Sequence, residues 1–161
     1  MNRSIELNIK PKWDEIENVR NESINFLTSQ GISNDSVQAF AMVISELVEN
    51  SVKYGRFTSN KSKVTVSVNI TENMIIAEVI NPVDESVYHH LRKLDKTLQW
   101  IRGFQDPFQA YVQRIRQISR KPLDDEFSGL GLTRIAYEGQ AILDFFLTEG
   151  NQLNVSAISN A

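Results

Sequence analysis

A carboxylate and a carboxamide lie four positions apart in the stretch from Ile44 to Gly55, at Glu46 and Asn50. Residues four apart share one face of a helix, so this spacing places the two side chains one turn from each other. Such a pair can coordinate a divalent cation or orient a hydroxyl group for attack. A solvated polar helix face is the alternative interpretation, and the spacing alone leaves both open.

The helix that would carry this pair is indicated by apolar residues at helical intervals, namely Val37, Phe40, Ala41, Ile44, Leu47 and Val48. This periodicity predicts an amphipathic helix whose apolar face packs in the core. Asn34 or Asp35 is the predicted N-cap, and Gly55 is predicted to end the helix in the left-handed conformation.

A second candidate site lies near the end of the chain, where Gly129 and Gly131 precede a short helix predicted over residues 131–137. Glycines before a helix leave backbone N–H groups free at the positive end of the helix dipole, which suits a phosphate group. Glycine is common in loops, so an ordinary connection is the alternative.

These two stretches resemble the motifs of one protein family. The residues Glu46-x-x-x-Asn50-x-x-Lys53-Tyr54-Gly55 resemble the N box of the histidine-kinase-like ATPases, the GHKL superfamily with the Bergerat fold. Ser128-Gly129-Leu130-Gly131-Leu132-Thr133 is similar to the family's second glycine box. The resemblance is strongest to the small serine kinases that serve as anti-sigma factors. It implies one domain over residues 1–161, with a helical lid insertion at 84–121.

The resemblance also implies roles for the N-box residues and for two cofactors, ATP and Mg²⁺. Glu46 corresponds to the general base that takes the proton from the attacking hydroxyl. Asn50 corresponds to the ligand of the Mg²⁺ that bridges the phosphates. Lys53 matches a position that is often basic and could face phosphate, although a solvated lysine fits the sequence equally well.

The remaining residues implied by the resemblance would contact the nucleotide itself. The second glycine box would contact the phosphates through Gly129, Gly131, Leu132 and Thr133. Asn81 stands where the family has the Asp that reads adenine, and an Asn oxygen is a neutral, weaker acceptor. Neither glycine of the family's first glycine box is present after Asn81, and Pro82 and Val83 disfavour the turn that those glycines form.

Two hypotheses of function follow. In the first, the chain is an anti-sigma-factor-like serine/threonine kinase that binds ATP with Mg²⁺ and phosphorylates a small antagonist protein in bacterial partner switching. In the second, it is a binding module that works without nucleotide and sequesters an antagonist, a sigma factor or a phosphatase. The Glu46/Asn50 pair favours the first hypothesis, and the altered box at Asn81 favours the second.

Composition limits the other classes of function. The chain has no cysteine, which excludes disulfides and thiol catalysis, and its net charge of −3 argues against a nucleic-acid partner. No 18-residue apolar run and no apolar signal-peptide core occur in the sequence, so we expect a cytoplasmic protein without a membrane partner.

Charge is unevenly distributed, however, because residues 88–121 contain eight basic and only two acidic side chains. A local basic field of this kind favours an acidic or phosphate-bearing partner, with a solvated helix face as the alternative. An apolar seam from Val87 to Ile101 predicts a helix and could support a homodimer. The adjacent His89 and His90 would point about 100° apart on that helix, which makes them a poor metal-binding pair.

A helix after Pro107, capped by Asp106, follows with a predicted apolar stripe at Phe108, Tyr111–Val112, Ile115 and Ile118. Aromatic residues are predicted to cluster near the turn between the two helices, at Trp100, Phe104, Phe108 and Tyr111.

Alternating apolar residues predict strands at residues 4–9, 64–70, 74–80, 142–148 and 153–158. Helical periodicity predicts further helices from Asp14 to Gly31 and around residues 131–137. The sheet pattern is predicted to end at Asn81-Pro82, and residues 122–128 to form an acidic loop. This order predicts an α+β two-layer sandwich of the Bergerat type, with helices on one face of a mixed sheet.

Overall fold

The computed structural model describes residues 3–59, 62–118 and 130–161, without the side chains of Ile118 and Leu130. The elements in chain order are β1 (Arg3–Ile9), α1 (Asp14–Ser29), α2 (Asn34–Tyr54), β2 (Val64–Ile70), β3 (Met74–Pro82), α3 (Val87–Arg102), α4 (Pro107–Ile118), α5 (Leu130–Tyr137), β4 (Ile142–Leu147) and β5 (Gln152–Asn160). The predicted acidic loop at 122–128 lies outside the described residues. The other predicted elements are all present.

The five strands form one sheet in the order β1-β2-β3-β5-β4, and β1 lies at an edge as its short length and the following Pro11 suggest. The two-layer α+β sandwich is therefore confirmed. Each of the four strand pairings is antiparallel, so the prediction of a mixed sheet was wrong. The reason is that β2–β3 and β4–β5 are tight hairpins, and β5 enters the sheet beside β3 in the opposite direction.

The core lies between the sheet and α2. Inward side chains of β2 and β3 alternate with outward ones, and Val66, Val68 and Val79 are at most 1% exposed. Phe40 and Ile44 of α2 pack in the same cluster. This burial fixes the rotation of α2 about its axis, because the apolar face must lie on the sheet. The stripe that carries Glu46 and Asn50 is thereby directed away from the deepest core.

Both ends of α2 differ from the prediction. The N-cap is Ser33, whose Oγ accepts a hydrogen bond from the Ser36 backbone N–H at 3.4 Å. Gly55 has φ −69° and ψ 161°, so the left-handed prediction was wrong. A Cβ at Gly55 would lie 2.6 Å from the Phe57 ring and 2.7 Å from the Ser51 carbonyl oxygen. Close packing, rather than a left-handed turn, therefore requires glycine there.

Strand β3 extends two residues beyond its predicted end. Asn81 pairs with Leu153 and Pro82 pairs with Gln152 on β5, so the sheet does not break at this point. Pro82 is the last residue of β3 and contributes no backbone N–H to the ladder. Its carbonyl oxygen accepts the backbone N–H of Arg56 at 2.9 Å. The residues predicted to correspond to a first glycine box thus begin in a strand.

The seam of α3 packs into the chain's own core, where Leu94, Leu98 and Ile101 are 3–8% exposed. This confirms the helix but removes the seam as a surface for a second copy. Helix α4 begins as predicted, with Asp106 Oδ1 accepting the Phe108 backbone N–H at 3.0 Å. Its predicted apolar stripe was wrong at Phe108 and at Ile115, which are 46% and 45% exposed.

Among the described side chains of α4, from Pro107 to Gln117, Ala110 is the one that is completely buried. The predicted aromatic cluster divides into two groups. Trp100 contacts Phe104 edge-on with centroids 4.7 Å apart, whereas Phe108 and Tyr111 each contact Tyr137 on α5. No helix within the described ranges is long and apolar enough to cross a membrane.

Candidate functional site

Glu46 lies at the junction of α2 and α5. Its side chain is 17% exposed, and its Oε1 accepts a hydrogen bond from Arg134 Nη1 at 3.0 Å. Arg134 also binds Glu138 Oε2 through Nε and Nη2, both at 3.2 Å. One guanidinium therefore joins the predicted base on α2 to a second carboxylate just after α5.

The electrostatic surroundings of Glu46 raise the pKa of its carboxyl group above the ordinary value. Burial is the largest cause, and the negative charges of Glu49 and Glu138 act in the same direction. The positive charge of Arg134 opposes them. A carboxylate with a raised pKa binds a proton more strongly, which is the property that a general base requires near neutral pH.

Gly131 stands directly against this carboxylate at the beginning of α5. A Cβ placed at Gly131 would meet the Glu46 Oε2 atom and lie 3.3 Å from its Cδ. The first turn of α5 therefore approaches Glu46 as closely as only glycine permits. The positive end of the α5 dipole stabilises negative charge at this position. The structure thus brings Glu46 and Gly131 together, although they are distant in sequence.

Two further residues of the predicted glycine box, Leu132 and Thr133, point into the interior. Leu132 is 1% exposed and Thr133 is fully buried. Leu132 belongs to the main apolar cluster, so its side chain has a core role. Gly129 lies outside the described residues.

Asn50 lies one turn beyond Glu46 on α2, half-buried, and faces a small space beneath α3. Asn81 faces the same space from β3 and is 2% exposed. The Asn81 Oδ1 accepts a hydrogen bond from the Ser51 hydroxyl at 2.8 Å, and its Nδ2 donates to the Pro82 carbonyl at 3.1 Å. The predicted adenine-reading group is thus already engaged by α2 and by its own strand.

Helix α3 closes this space with an aromatic contact. The His90 ring stacks on the Tyr54 ring, with centroids 3.7 Å apart and planes 15° apart. Burial, with help from the charges of Lys93, Lys53 and His89, lowers the pKa of His90 to about 4. The cavity that remains, bordered also by Asn50 and Leu94, has a volume of about 20 Å³, which is room for about one water molecule.

Lys53 lies at the outer end of the same stripe. Its side chain is exposed, and its Nζ lies 5.2 Å from the centroid of the Tyr54 ring. The ammonium group is therefore near the closed space without entering it. Within the parts of the chain that the structure describes, no group of three or more His, Cys, Asp or Glu side chains could hold a metal ion.

Sequence reasoning missed Arg134, Glu138 and the pairing of His90 with Tyr54. The four-residue spacing of Arg134 and Glu138 on a helix was a signal for their mutual ion pair. The hydrogen bond from Arg134 to Glu46 joins residues that are 88 positions apart, so no local sequence pattern indicated it.

Comparison with known proteins shows a similarity at the level of structure. The fold is similar to a chain in the crystal structure of the SiaB–SiaC complex from Pseudomonas aeruginosa, with a TM-score of 0.69 and 16% identity. The match covers 99% of this chain and 91% of that one. No family model and no curated protein matches the sequence. At this identity the similarity shows the fold alone, and function must be argued from the site.

Proposed function

We propose that this chain is a regulatory protein of a bacterial partner-switching pathway, which acts on a small antagonist protein as an anti-sigma-factor-like serine/threonine kinase. The observation that carries the proposal is the position of Glu46. Its carboxyl group has a raised pKa, contacts the first turn of α5 at Gly131, and lies one turn from Asn50. A carboxylate with a raised pKa and the first turn of α5 thus lie together, with a carboxamide one turn along α2, which supports the proposal.

The whole-chain likeness supports the protein-binding part of this proposal. The similar structure contains two different proteins in one complex. The basic side chains of α3 and α4 add a surface that attracts an acidic partner, as the charge count of that segment indicates. The partner's hydroxyl group would lose its proton to Glu46. For this, Arg134 would have to release the Glu46 Oε1 atom to which it now donates a hydrogen bond.

Among the described residues, the space that Asn50 and Asn81 face is closed. A cavity of about 20 Å³ cannot hold ATP, because ligand pockets usually measure about 300–1,000 Å³. For ATP with Mg²⁺ to enter, His90 must leave Tyr54 and α3 must move from the sheet. Asn50, Lys53, Asn81 and the first turn of α5, at Gly131, would then become the lining of the opened space. ATP supplies the phosphoryl group in such a reaction.

A second candidate function is favoured by the same closed space. A nucleotide-independent module that sequesters its partner needs no opening of α3. In that case the stack of His90 on Tyr54 and the hydrogen bond from Ser51 to Asn81 are permanent parts of the core. The two candidates therefore make opposite predictions about ATP.

Isothermal titration of the purified protein with ATP and Mg²⁺ distinguishes the candidates. The kinase proposal expects micromolar binding that Asn50→Ala abolishes and that His90→Ala strengthens, because removal of the ring opens the space. Asn69→Ala, the same change on an outward position of β2, serves as the matched control and should leave binding intact. Absence of heat at millimolar ATP in both the wild type and His90→Ala would leave the sequestering module as the function.

A further inference from the structure

The outer face of the sheet, opposite the helices, is divided into two unlike halves. On β1 and β2 the outward residues are all polar, namely Ser4, Glu6, Asn8, Thr65, Ser67 and Asn69. On β3, β5 and β4 the outward positions include Met74, at the end of β3, and five further large apolar side chains, here called the outer patch: Ile76, Ile80, Ile142, Phe146 and Ile158. An antiparallel sheet with one solvated face normally presents polar residues there throughout.

The strand register makes the outer patch continuous. Ile142 pairs with Ile158, which pairs with Ile76, so one row of three isoleucines crosses the three strands. Ile142 is 70% exposed and Phe146 is 53% exposed. The helices that belong to the main core cluster pack against the inward residues. Ile142 also borders the cavity between the α3–α4 turn and α5, yet it keeps this large exposed fraction. Contiguous exposed apolar surface of this kind marks interaction sites on soluble proteins.

A row of acidic side chains crosses the outer patch between its apolar rows. Asp144 and Glu78 are both register partners of Ser156, and the same row continues to Glu6 on β1. Among the outward positions of the five described strands there is no lysine and no arginine. This face therefore has three carboxylates without a compensating cation on the sheet.

An unsatisfied acceptor lies in the adjacent row. Asn154, the register partner of Phe146 and Ile80, is 4% exposed and donates through Nδ2 to Glu78 Oε2 at 2.9 Å. Its Oδ1 has no hydrogen-bond donor among the described residues. The Asn154 Oδ1 atom is itself buried, so what the patch presents to a partner is negative charge and apolar area, with no charged donor on the sheet.

We infer that the β3–β5–β4 half of the outer face is a docking surface for a basic protein partner, one that presents apolar side chains around lysine or arginine. Charge complementarity selects this occupant. A second copy related by a two-fold axis through the patch would place the Asp144–Glu78 row against itself, and like charges in contact disfavour such an interface.

This surface is separate from the site at Glu46. Glu46 projects from α2 on the helical side of the sheet, whereas Asp144 and Ile142 project from the opposite side. A partner bound here leaves the Glu46 side of the molecule accessible. The inference therefore goes beyond the proposed function and does not depend on nucleotide.

The test begins with immobilised wild-type protein and three variants: Asp144→Lys, the double variant Ile142→Ser/Phe146→Ser, and Glu6→Lys. All four positions are exposed, so each variant should fold. Glu6→Lys is the matched control, because it makes the same charge reversal in the same row but in the polar half. A protein retained from cell lysate by the wild type is identified by mass spectrometry, purified, and titrated against each form.

The expected result is a basic partner whose affinity falls by about tenfold or more with Asp144→Lys and with the double variant, and falls far less with Glu6→Lys. Its binding should protect amides of β4 and β5 from hydrogen exchange. An equal loss with Glu6→Lys would overturn the inference, since net charge alone would then explain binding.

Three other results would also overturn it. Protection confined to α3 and α4 would place the partner elsewhere. Sedimentation that shows a wild-type dimer, dissociated by Ile142→Ser/Phe146→Ser, would make the patch a self-interface. If the wild type retains no protein whose binding is weakened by the patch variants, the patch has no basic partner of the predicted kind. Failure of ATP titration has no bearing on these results, so the two proposals fail independently.

Discussion

The imidazole of His90 lies flat on the phenol ring of Tyr54, with the two ring centroids 3.7 Å apart. The contact joins α3 to the end of α2 and closes the space that Asn50 and Asn81 face. Because burial lowers the pKa of His90 to about 4, the ring is neutral at pH 7 and can stack without a charge to solvate. The closure of the site therefore depends on a side chain that acid can charge.

The first prediction concerns the pH dependence of stability. The pKa of His90 is about 4 in the folded chain and about 6.5 in the unfolded chain, so the unfolded chain binds the proton first as the pH falls. We therefore expect the wild type to lose stability between pH 6.5 and pH 4, relative to His90→Phe, which keeps an aromatic ring that does not titrate. After allowance for partial solvent exposure, the difference should reach roughly 2 kcal/mol at pH 4.

Urea denaturation at several pH values measures this difference. His89→Phe is the matched control, because His89 is the exposed neighbour on the same helix. Burial is the largest cause of the lowered pKa of His90 and the charge of His89 the last, so this replacement should keep most of the acid loss. Parallel stability curves for the wild type and His90→Phe over this pH range would show that the pKa of His90 is not lowered by folding.

The second prediction concerns the charge network around Glu46. Arg134 lowers the pKa of Glu46 and Glu138 raises it, so the two neighbours act in opposite directions. Arg134→Met should therefore raise the pKa of Glu46 further, whereas Glu138→Gln should lower it. Titration of the side-chain carboxyl carbon by NMR measures both shifts. Shifts of the same sign in the two variants would show that the guanidinium does not bridge the carboxylates as described.

The elements of this fold follow from local sequence patterns. Strict alternation from Val64 to Ile70 and helical spacing from Val37 to Val48 predicted β2 and α2 correctly, because side-chain burial repeats with the geometry of each element. Where a boundary depended on tertiary contacts, the pattern was insufficient. Asn81 continues β3 because Leu153 of β5 pairs with it. No residue near Asn81 in the sequence predicts that pairing.

In the candidate site, too, local relationships were predictable from the sequence and contacts between distant segments were not. The spacing of Glu46 and Asn50 is local, so sequence could place them one turn apart on a helix. The contact of Glu46 with Gly131 and the stack of His90 on Tyr54 join distant segments. Such contacts are set by how the helices pack on the sheet, which a single sequence does not encode in any short pattern.

The third prediction compares two glycines near α5. A Cβ at Gly131 would meet only the end of the Glu46 side chain, which is flexible and can move. The better helix propensity of alanine offsets part of the cost, so Gly131→Ala should change stability by less than about 1 kcal/mol. The displaced carboxylate should lose its hydrogen bond to Arg134, which raises the pKa of Glu46.

Gly139→Ala is the contrasting variant. Its Cβ would meet Val43 Cγ2 and lie 2.7 Å from the Ile135 carbonyl oxygen, both of which are fixed in the core. We expect a loss of about 1–3 kcal/mol, as is usual for overpacking. Chemical denaturation of both variants gives the comparison. A larger loss for Gly131→Ala than for Gly139→Ala would show that the Glu46 side chain is rigidly held.

The last prediction concerns the hydrogen bond that links α2 to β3 beneath α3. The Ser51 hydroxyl donates to Asn81 Oδ1 at 2.8 Å, and both residues are at most 5% exposed. Ser51→Ala removes the donor and leaves a buried acceptor without it, which should cost about 1–3 kcal/mol. Ser45→Ala is the matched control on the same helix, because the Ser45 hydroxyl donates only to the Ala41 carbonyl of its own helix at 2.9 Å. The Ala41 carbonyl already belongs to the hydrogen-bond ladder of the helix, so loss of the Ser45 hydroxyl should cost less than about 0.5 kcal/mol. Equal costs in urea denaturation would mean that Asn81 finds another donor, and the closed space would then hold its shape without Ser51.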